Sequence, residues 1–286
     1  MITETESPRV RSFVTSVLPW LLGAGMLGIF LATLNRWVTP NSLNEVVDFA
    51  NWSQRPHALG PVTFLITYPL RWLPVGVIPV ALNVFSAVCA ALVLALLGRS
   101  VVLLPHDRTH EQRQREQSEF SILTIPAAWL PPLLAVLICG LQMTFWENAT
   151  EATGEMFDLL LFAYVIRCLL EYRINGRESW LIRLALAYGL GMADNWAMIG
   201  FFPAFLAAII WIKGLGALNP RFMFQMLCCG LAGLLLIFLF PLLNRYTGNL
   251  HVGFWQSLRS TLSFDKAVLA HFPRDTVAVL ALTSVL

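Results

Sequence analysis

Four stretches of the chain, residues 13–34, 75–97, 125–146 and 222–244, each run 22 or 23 residues without a charged side chain. A helix rises about 1.5 Å per residue, so each stretch can cross a hydrocarbon core about 30 Å thick. Hydrophobic residues make up 57% of the chain and charged residues 13%, against about 25% charge in an average soluble domain. The expectation is an all-α, polytopic transmembrane helical bundle. Weaker candidate spans lie at 156–170, which carries Asp158 and Arg167, at 184–193 and at 196–212. Together these give about seven or eight spans. Residues 276–286 read as a span cut off at its start, so the single domain, 1–286, is expected to be incomplete at its C-terminus.

The first apolar run follows Arg9 and Arg11 but is longer than the h-region of a secretory signal, and Asn35-Arg36-Trp37 offers no small-residue cleavage site. It reads as a retained helix. The five cysteines all fall within apolar spans, where a thiol behaves as a small hydrophobe, so no disulfide framework is expected.

With the N-terminus in the cytoplasm, twelve of the nineteen Lys and Arg fall on the inner side. The short outer turns, 147–155 and 194–195, have no basic residue, as the positive-inside rule requires. Residues 105–121 then form a charged cytoplasmic loop, and 245–275 an outer one. The first outer loop, 37–74, mixes Trp37, Trp52 and Trp72 with charges. Its stretch 43–52 is expected to form an amphipathic interfacial helix, with Pro56, Pro61, Pro69 and Pro74 breaking the remainder into short pieces.

This topology brings Glu45, Asp48, Glu147, Glu151, Glu155, Asp158 and Asp194 to the outer boundary from separate parts of the chain. If 147–158 is one helix, Glu147, Glu151, Glu155 and Asp158 share a face. Such a stripe needs water, a cation, a basic partner or protonation, which points to a polar cavity open to the outside. Arg36, Arg55, Arg71 and Arg245 lie at the same level and could hold an anionic group such as a phosphate.

The order of several short motifs then resembles a known family. They are His57-Ala58-Leu59-Gly60-Pro61 and Tyr68-Pro69-Leu70; Asn83-Val84-Phe85-Ser86-Ala87; Thr144-Phe145-Trp146 followed by Glu155; and Gly189-Leu190-Gly191-Met192-Ala193-Asp194-Asn195. This sequence resembles the membrane glycosyltransferases of the GT-C type, specifically the domain-of-unknown-function family 2723, which includes protein O-mannosyltransferases. The resemblance implies an enzyme that moves a sugar, mannose among the candidates, from a polyprenyl-phosphate carrier to a hydroxyl on a protein or glycan. It would work at the outer face of the bacterial inner membrane or in the lumen of the endoplasmic reticulum, the bacterial membrane being favoured. A first-loop carboxylate would take the acceptor's proton, which needs hydrogen-bond reach, and an arginine would stabilise the departing phosphate.

Two departures from the family's pattern stand out. Where it has Gly-Asp-Ser-Gly-Glu, this chain has Asn41-Ser42-Leu43-Asn44-Glu45, and its Asn-His pair appears here as Asn195-Trp196. Glu45 and Asp48 are therefore the candidate bases, with Arg36, Arg55, His57, Arg71, Glu155, Asp158, Asp194, Asn195 and Arg245 the candidate substrate-binding residues. No cofactor is indicated, although the carboxylates could hold a divalent cation. The alternative is a non-catalytic binder of lipid-linked saccharide, or a transporter or flippase. A transporter places its ionic sites near the bilayer midplane, whereas these carboxylates gather at one boundary. Nothing resembles a Walker loop or a dinucleotide-binding motif, and no nucleic-acid partner is expected.

Overall fold

The structure, a computed structural model, describes residues 13, 16–49, 60–104, 129–247 and 253–271. Among these residues every regular element is helical. The central helix is α4 (Ile78–Leu103), which has a proline in its first turn, where no backbone N–H is needed. At about 39 Å it is long enough to cross a bilayer. The numbering in chain order is completed by α1 (Leu18–Ala32), α2 (Leu43–Phe49), α3 (Pro61–Thr67), α5 (Leu130–Gly140), α6 (Met143–Thr150), α7 (Glu155–Asn175), α8 (Glu178–Asp194), α9 (Phe202–Lys213), α10 (Pro220–Leu234), α11 (Leu239–Thr247) and α12 (Phe254–His271).

Packing runs in a row: α1 against α4, α4 against α7, α7 against α8, and α8 against α10, with α5 and α6 also on α4. Small residues set the closest approaches, as is usual where lipid supplies no hydrophobic drive between helices. A side chain at Gly23 would meet the Ala91 carbonyl and Ala95 of α4, one at Gly140 would meet Met26 and Leu94, and one at Gly189 would run into the backbone of Gly230. One apolar core joins Met26, Phe30, Leu94, Val136, Phe145 and Phe157. A second joins Val165 and Cys168 to Leu181, Leu184, Tyr188 and Phe222. All five cysteines are free thiols.

Fewer helices are long and apolar enough to span a bilayer than the seven or eight expected. Three qualify among the described residues, Ile78–Leu103, Trp196–Lys213 and Pro220–Leu243, and a fourth if α5 and α6 count as one span bent by 71°. The physical reasons are local. α1 has 15 residues, about 22 Å of helix. α7 carries Glu155, Asp158, Arg167, Glu171 and Arg173, and α8 carries Glu178, Arg183 and Asp194. These charges are accommodated by bonding within the bundle: Glu171, 6% exposed, takes Arg99 of α4 at 3.1 Å and Arg167 at 3.8 Å. Residues 105–121 and 276–286, and parts of the 245–275 loop, lie outside the described residues.

Residues 147–158 do not form one helix. α6 ends at Thr150, and Gly154, with φ of 77°, caps the start of α7. That positive φ suits glycine and turns the chain, so the expected one-faced carboxylate stripe is split between two elements. Of the expected 43–52 helix, residues 43–49 are described and are helical, and 50–52 lie outside the described residues. Its described portion, α2, buries Val46 and Phe49 against Ile78, Leu82 and Ala152, which docks it on the bundle.

Replacing Gly189 by alanine is expected to force α8 and α10 apart and to destabilise the protein by about 1–3 kcal/mol. Gly25→Ala, which meets nothing within 4 Å, is expected to leave stability nearly unchanged. Thermal unfolding of both variants in detergent checks the pair.

Candidate functional site

The site is built around the start of the first outer loop and two short helices that return to the bundle. Asn35 and Thr39 both donate to Glu151, at 3.2 and 2.8 Å. Asn83, only 1% exposed, donates to the Asn35 carbonyl at 2.7 Å and accepts from the Ala152 N–H at 2.8 Å. One buried amide of α4 thus satisfies two loop backbone groups that would otherwise be costly to bury. By the resemblance, Ser42, or Asn41 if the alignment slips, takes the place of the motif's aspartate. Ser42 is buried, accepts from the Thr39 N–H at 3.0 Å, and its carbonyl receives the Val46 N–H at the start of α2. That position shapes the loop and offers no base.

Glu45, in the first turn of α2, lines a cavity together with Thr63 and Thr67 of α3, Leu82, Phe85 and Ser86 of α4, and Ala152, Gly154 and Phe157. The space it encloses is about 20 Å³, room for about one water molecule, and it opens to the surface. Gly154 serves a second purpose here, since a Cβ on it would lie 2.6 Å from Oε1 of Glu45. The cavity combines one carboxylate and three hydroxyl side chains with the tilted ring pair Phe85 and Phe157, whose centroids are 6.0 Å apart. Polar groups on an otherwise apolar wall are the usual composition of a small-ligand site.

Asp194, the last residue of α8, reaches across to the N-terminus of α3. Its Oδ1 accepts from the backbone N–H groups of Val62 and Thr63 at 2.8 and 3.1 Å, and its Oδ2 accepts from the Thr63 hydroxyl at 2.6 Å. This is an N-cap supplied from another helix, satisfying donors that α3 leaves open. Gly60 is required directly beneath it, because a side chain there would occupy the carboxylate's place. Behind Asp194, Asn195 donates to Asp158 at 2.7 Å and accepts from the Ala197 N–H at 3.0 Å. Glu155 is exposed nearby. Trp196, in the place of the expected histidine, has its indole N–H buried without a hydrogen-bond partner.

Arg71, in the 3-10 turn Tyr68–Trp72 that follows α3, lies 5.2 Å from the Phe49 ring centroid, 4.7 Å from that of Phe64 and 5.8 Å from that of Tyr68. Its Nε is buried with no hydrogen-bond partner. Burial pushes the guanidinium below its ordinary range, and Tyr68 opposes that shift. Three rings face this cation.

Among the predicted site residues, Glu45, Asp158, Asp194 and Asn195 are thus gathered around α3, with Arg71 at its far end. Arg36 is exposed at the loop start and no described contact joins it to the cavity. Arg55 and His57, and the side chains of Asp48 and Arg245, lie outside the described residues. Among the described residues no three His, Cys, Asp or Glu side chains converge as a metal site. Sequence reasoning did not single out Thr63, Thr67, Gly154 and Phe157 as site residues. Phe85 and Ser86 appeared only inside a motif, and hydroxyls and rings give no charge signal to find them by.

A family model described as the protein O-mannosyl-transferase TMEM260 N-terminal domain matches residues 45–215, more than half of the chain. No curated protein and no solved structure matches it.

Asp194→Ala is expected to cost about 1–2 kcal/mol by uncapping α3. Gly60→Ala is expected to be destabilising in the native background and much less so combined with Asp194→Ala, because the obstructing carboxylate is then gone. Unfolding of the two single variants and the double variant measures this coupling.

Proposed function

The chain belongs to the TMEM260 N-terminal domain family, and on that premise we propose that it is a membrane glycosyltransferase, with mannose as the first sugar to test. The donor is a polyprenyl-phosphate sugar and the acceptor a hydroxyl on a protein or glycan, meeting at the outer face of a bacterial inner membrane. The observation that carries the reading is Glu45. It is the one member of the family's first-loop motif retained here, and it lines a cavity whose remaining polar groups are hydroxyls.

In this reading Glu45 takes the proton of the acceptor hydroxyl as that oxygen bonds to the anomeric carbon. The bond from the same carbon to the phosphate oxygen breaks, and polyprenyl phosphate leaves. Proton removal at the moment of attack is worth typically 10²–10⁴-fold in rate. Arg71, caged by rings and short of acceptors, suits the growing negative charge of the leaving phosphate. Arg55, His57 and Arg245 are assigned to the same anion, with Arg36 at the rim. Asp194, with Asn195 and Asp158 behind it, acts through α3 by fixing Thr63 on the cavity wall, and Glu155, exposed and next in sequence to Gly154 of the lining, is assigned to substrate binding. Asp48 is the second candidate base.

The test is transfer of labelled mannose from polyprenyl-phosphate-mannose to membrane acceptors by the full-length protein and by Glu45→Gln and Asp48→Asn. Glu45→Gln is expected to lose about a hundredfold or more, with Asp48→Asn retaining most transfer. Loss in Asp48→Asn alone would move the base to Asp48. Absence of transfer by the wild type across a range of donors would favour a non-catalytic saccharide binder or a flippase.

A further inference from the structure

At the opposite end of the bundle, where α7 turns into α8, the charge has the other sign. The guanidinium carbon of Arg183 lies 4.7 Å from the Trp180 ring centroid, and that of Arg167 lies 5.9 Å from the same ring. Glu171 is the carboxylate within reach, and it is already engaged by Arg99, by Arg167 and, through its second oxygen, by Asn175. Glu178, the other described carboxylate on this turn, pairs with Lys213. Arg99 and Arg167 share that one carboxylate, and among the described residues no ion pair engages Arg183. The Arg167 side chain is 22% exposed, and its Nε, 3.8 Å from Oε1 of Glu171, makes no hydrogen bond among the described residues.

The surface beside these cations is graded. Trp180, Arg183 and Leu186 follow one another at three-residue spacing, which places them on one face of α8. Arg183 is exposed and Leu186 is 42% exposed. The ring and its cations form one level, with Arg183 4.7 Å from the Trp180 centroid, and apolar surface follows along the helix. A phospholipid likewise presents its headgroup first and then its acyl chain. We propose that Arg167 and Arg183, set about Trp180, bind the phosphate headgroup of an anionic phospholipid whose acyl chain runs along α8 past Leu186. Guanidinium groups suit the phosphate because their fork of N–H donors matches its oxygens. The site is separate from the sugar cavity: Arg167 and Arg183 lie roughly 14–17 Å along their helices from Asp158 and Asp194.

The experiment is native mass spectrometry of the full-length protein in nonionic detergent, titrated with phosphatidylglycerol or with phosphatidylcholine of the same chains, with inorganic phosphate as competitor. The wild type is expected to retain phosphatidylglycerol in preference to phosphatidylcholine. Arg183→Gln, an exposed and structurally mild change, is expected to lower bound phosphatidylglycerol about fivefold, the factor for one basic residue at an anionic membrane surface, and Arg183→Lys to lower it less. Arg167→Gln should act in the same direction; if it does not fold, Arg183 alone carries the test. Equal retention of the two lipids, or wild-type retention by Arg183→Gln, would overturn the proposal. Displacement of the lipid by inorganic phosphate at equal concentration would also overturn it, reassigning the cations to a free-phosphate site.

Discussion

The carboxylate of Asp194 closes the N-terminus of α3, and the shape of the cavity follows from that one interaction. A seven-residue helix has little stability of its own, and its first N–H groups must find acceptors. Asp194 supplies three bonds across 131 or more residues of sequence. Its own position is fixed by α8, which is held against α10 where Gly189 meets Gly230. Thr63 and Thr67 are thereby set on one wall of the cavity. The other wall depends on Asn83 and Glu151, which tie the start of the first outer loop to α4 and to the turn before α7. Glu45 sits between the two anchorages.

The long charge-free runs made two spans readable in advance, since Ile78–Leu103 and Pro220–Leu243 nearly coincide with them. Where charges interrupt the apolar pattern, counting spans failed. α7 and α8 are helices as expected, but some of their charges have partners on other elements, Glu171 with Arg99 of α4 and Asp158 with Asn195, which no single-segment measure can register. The stripe across residues 147–158 failed for a local reason: helical spacing of four acids was allowed to outweigh Gly154, whose positive φ ends one element and opens the next. The carboxylates and Arg71 were found by their chemistry. The hydroxyls that share the cavity with Glu45 were not, because Thr and Ser in an apolar helix look like ordinary packing residues.

Several residues that carry the family resemblance turn out to be architectural. Gly60 admits the Asp194 carboxylate, Asn83 bridges loop and turn, Asn195 joins Asp158 to the following 3-10 helix, and Gly189 sets a helix crossing. Ser42, in the stretch that resembles the first-loop motif, is likewise a buried part of the loop. Beside these anchors, Glu45 lines the cavity and Arg71 stands among three rings. The acidic residues beside α3 and the arginines at the turn between α7 and α8 lie at opposite ends of those two helices.

The central claim is that the Glu45 cavity receives the sugar end of a polyprenyl-phosphate donor. The most direct measurement is photocrosslinking of a polyprenyl-phosphate-mannose analogue carrying its reactive group on the sugar, with the labelled peptides identified by mass spectrometry. The account predicts label on α3 and on the Phe85–Ser86 and Phe157 regions, displaced by unmodified donor. Displaceable label confined to other parts of the bundle, or none that unmodified donor displaces, would contradict it.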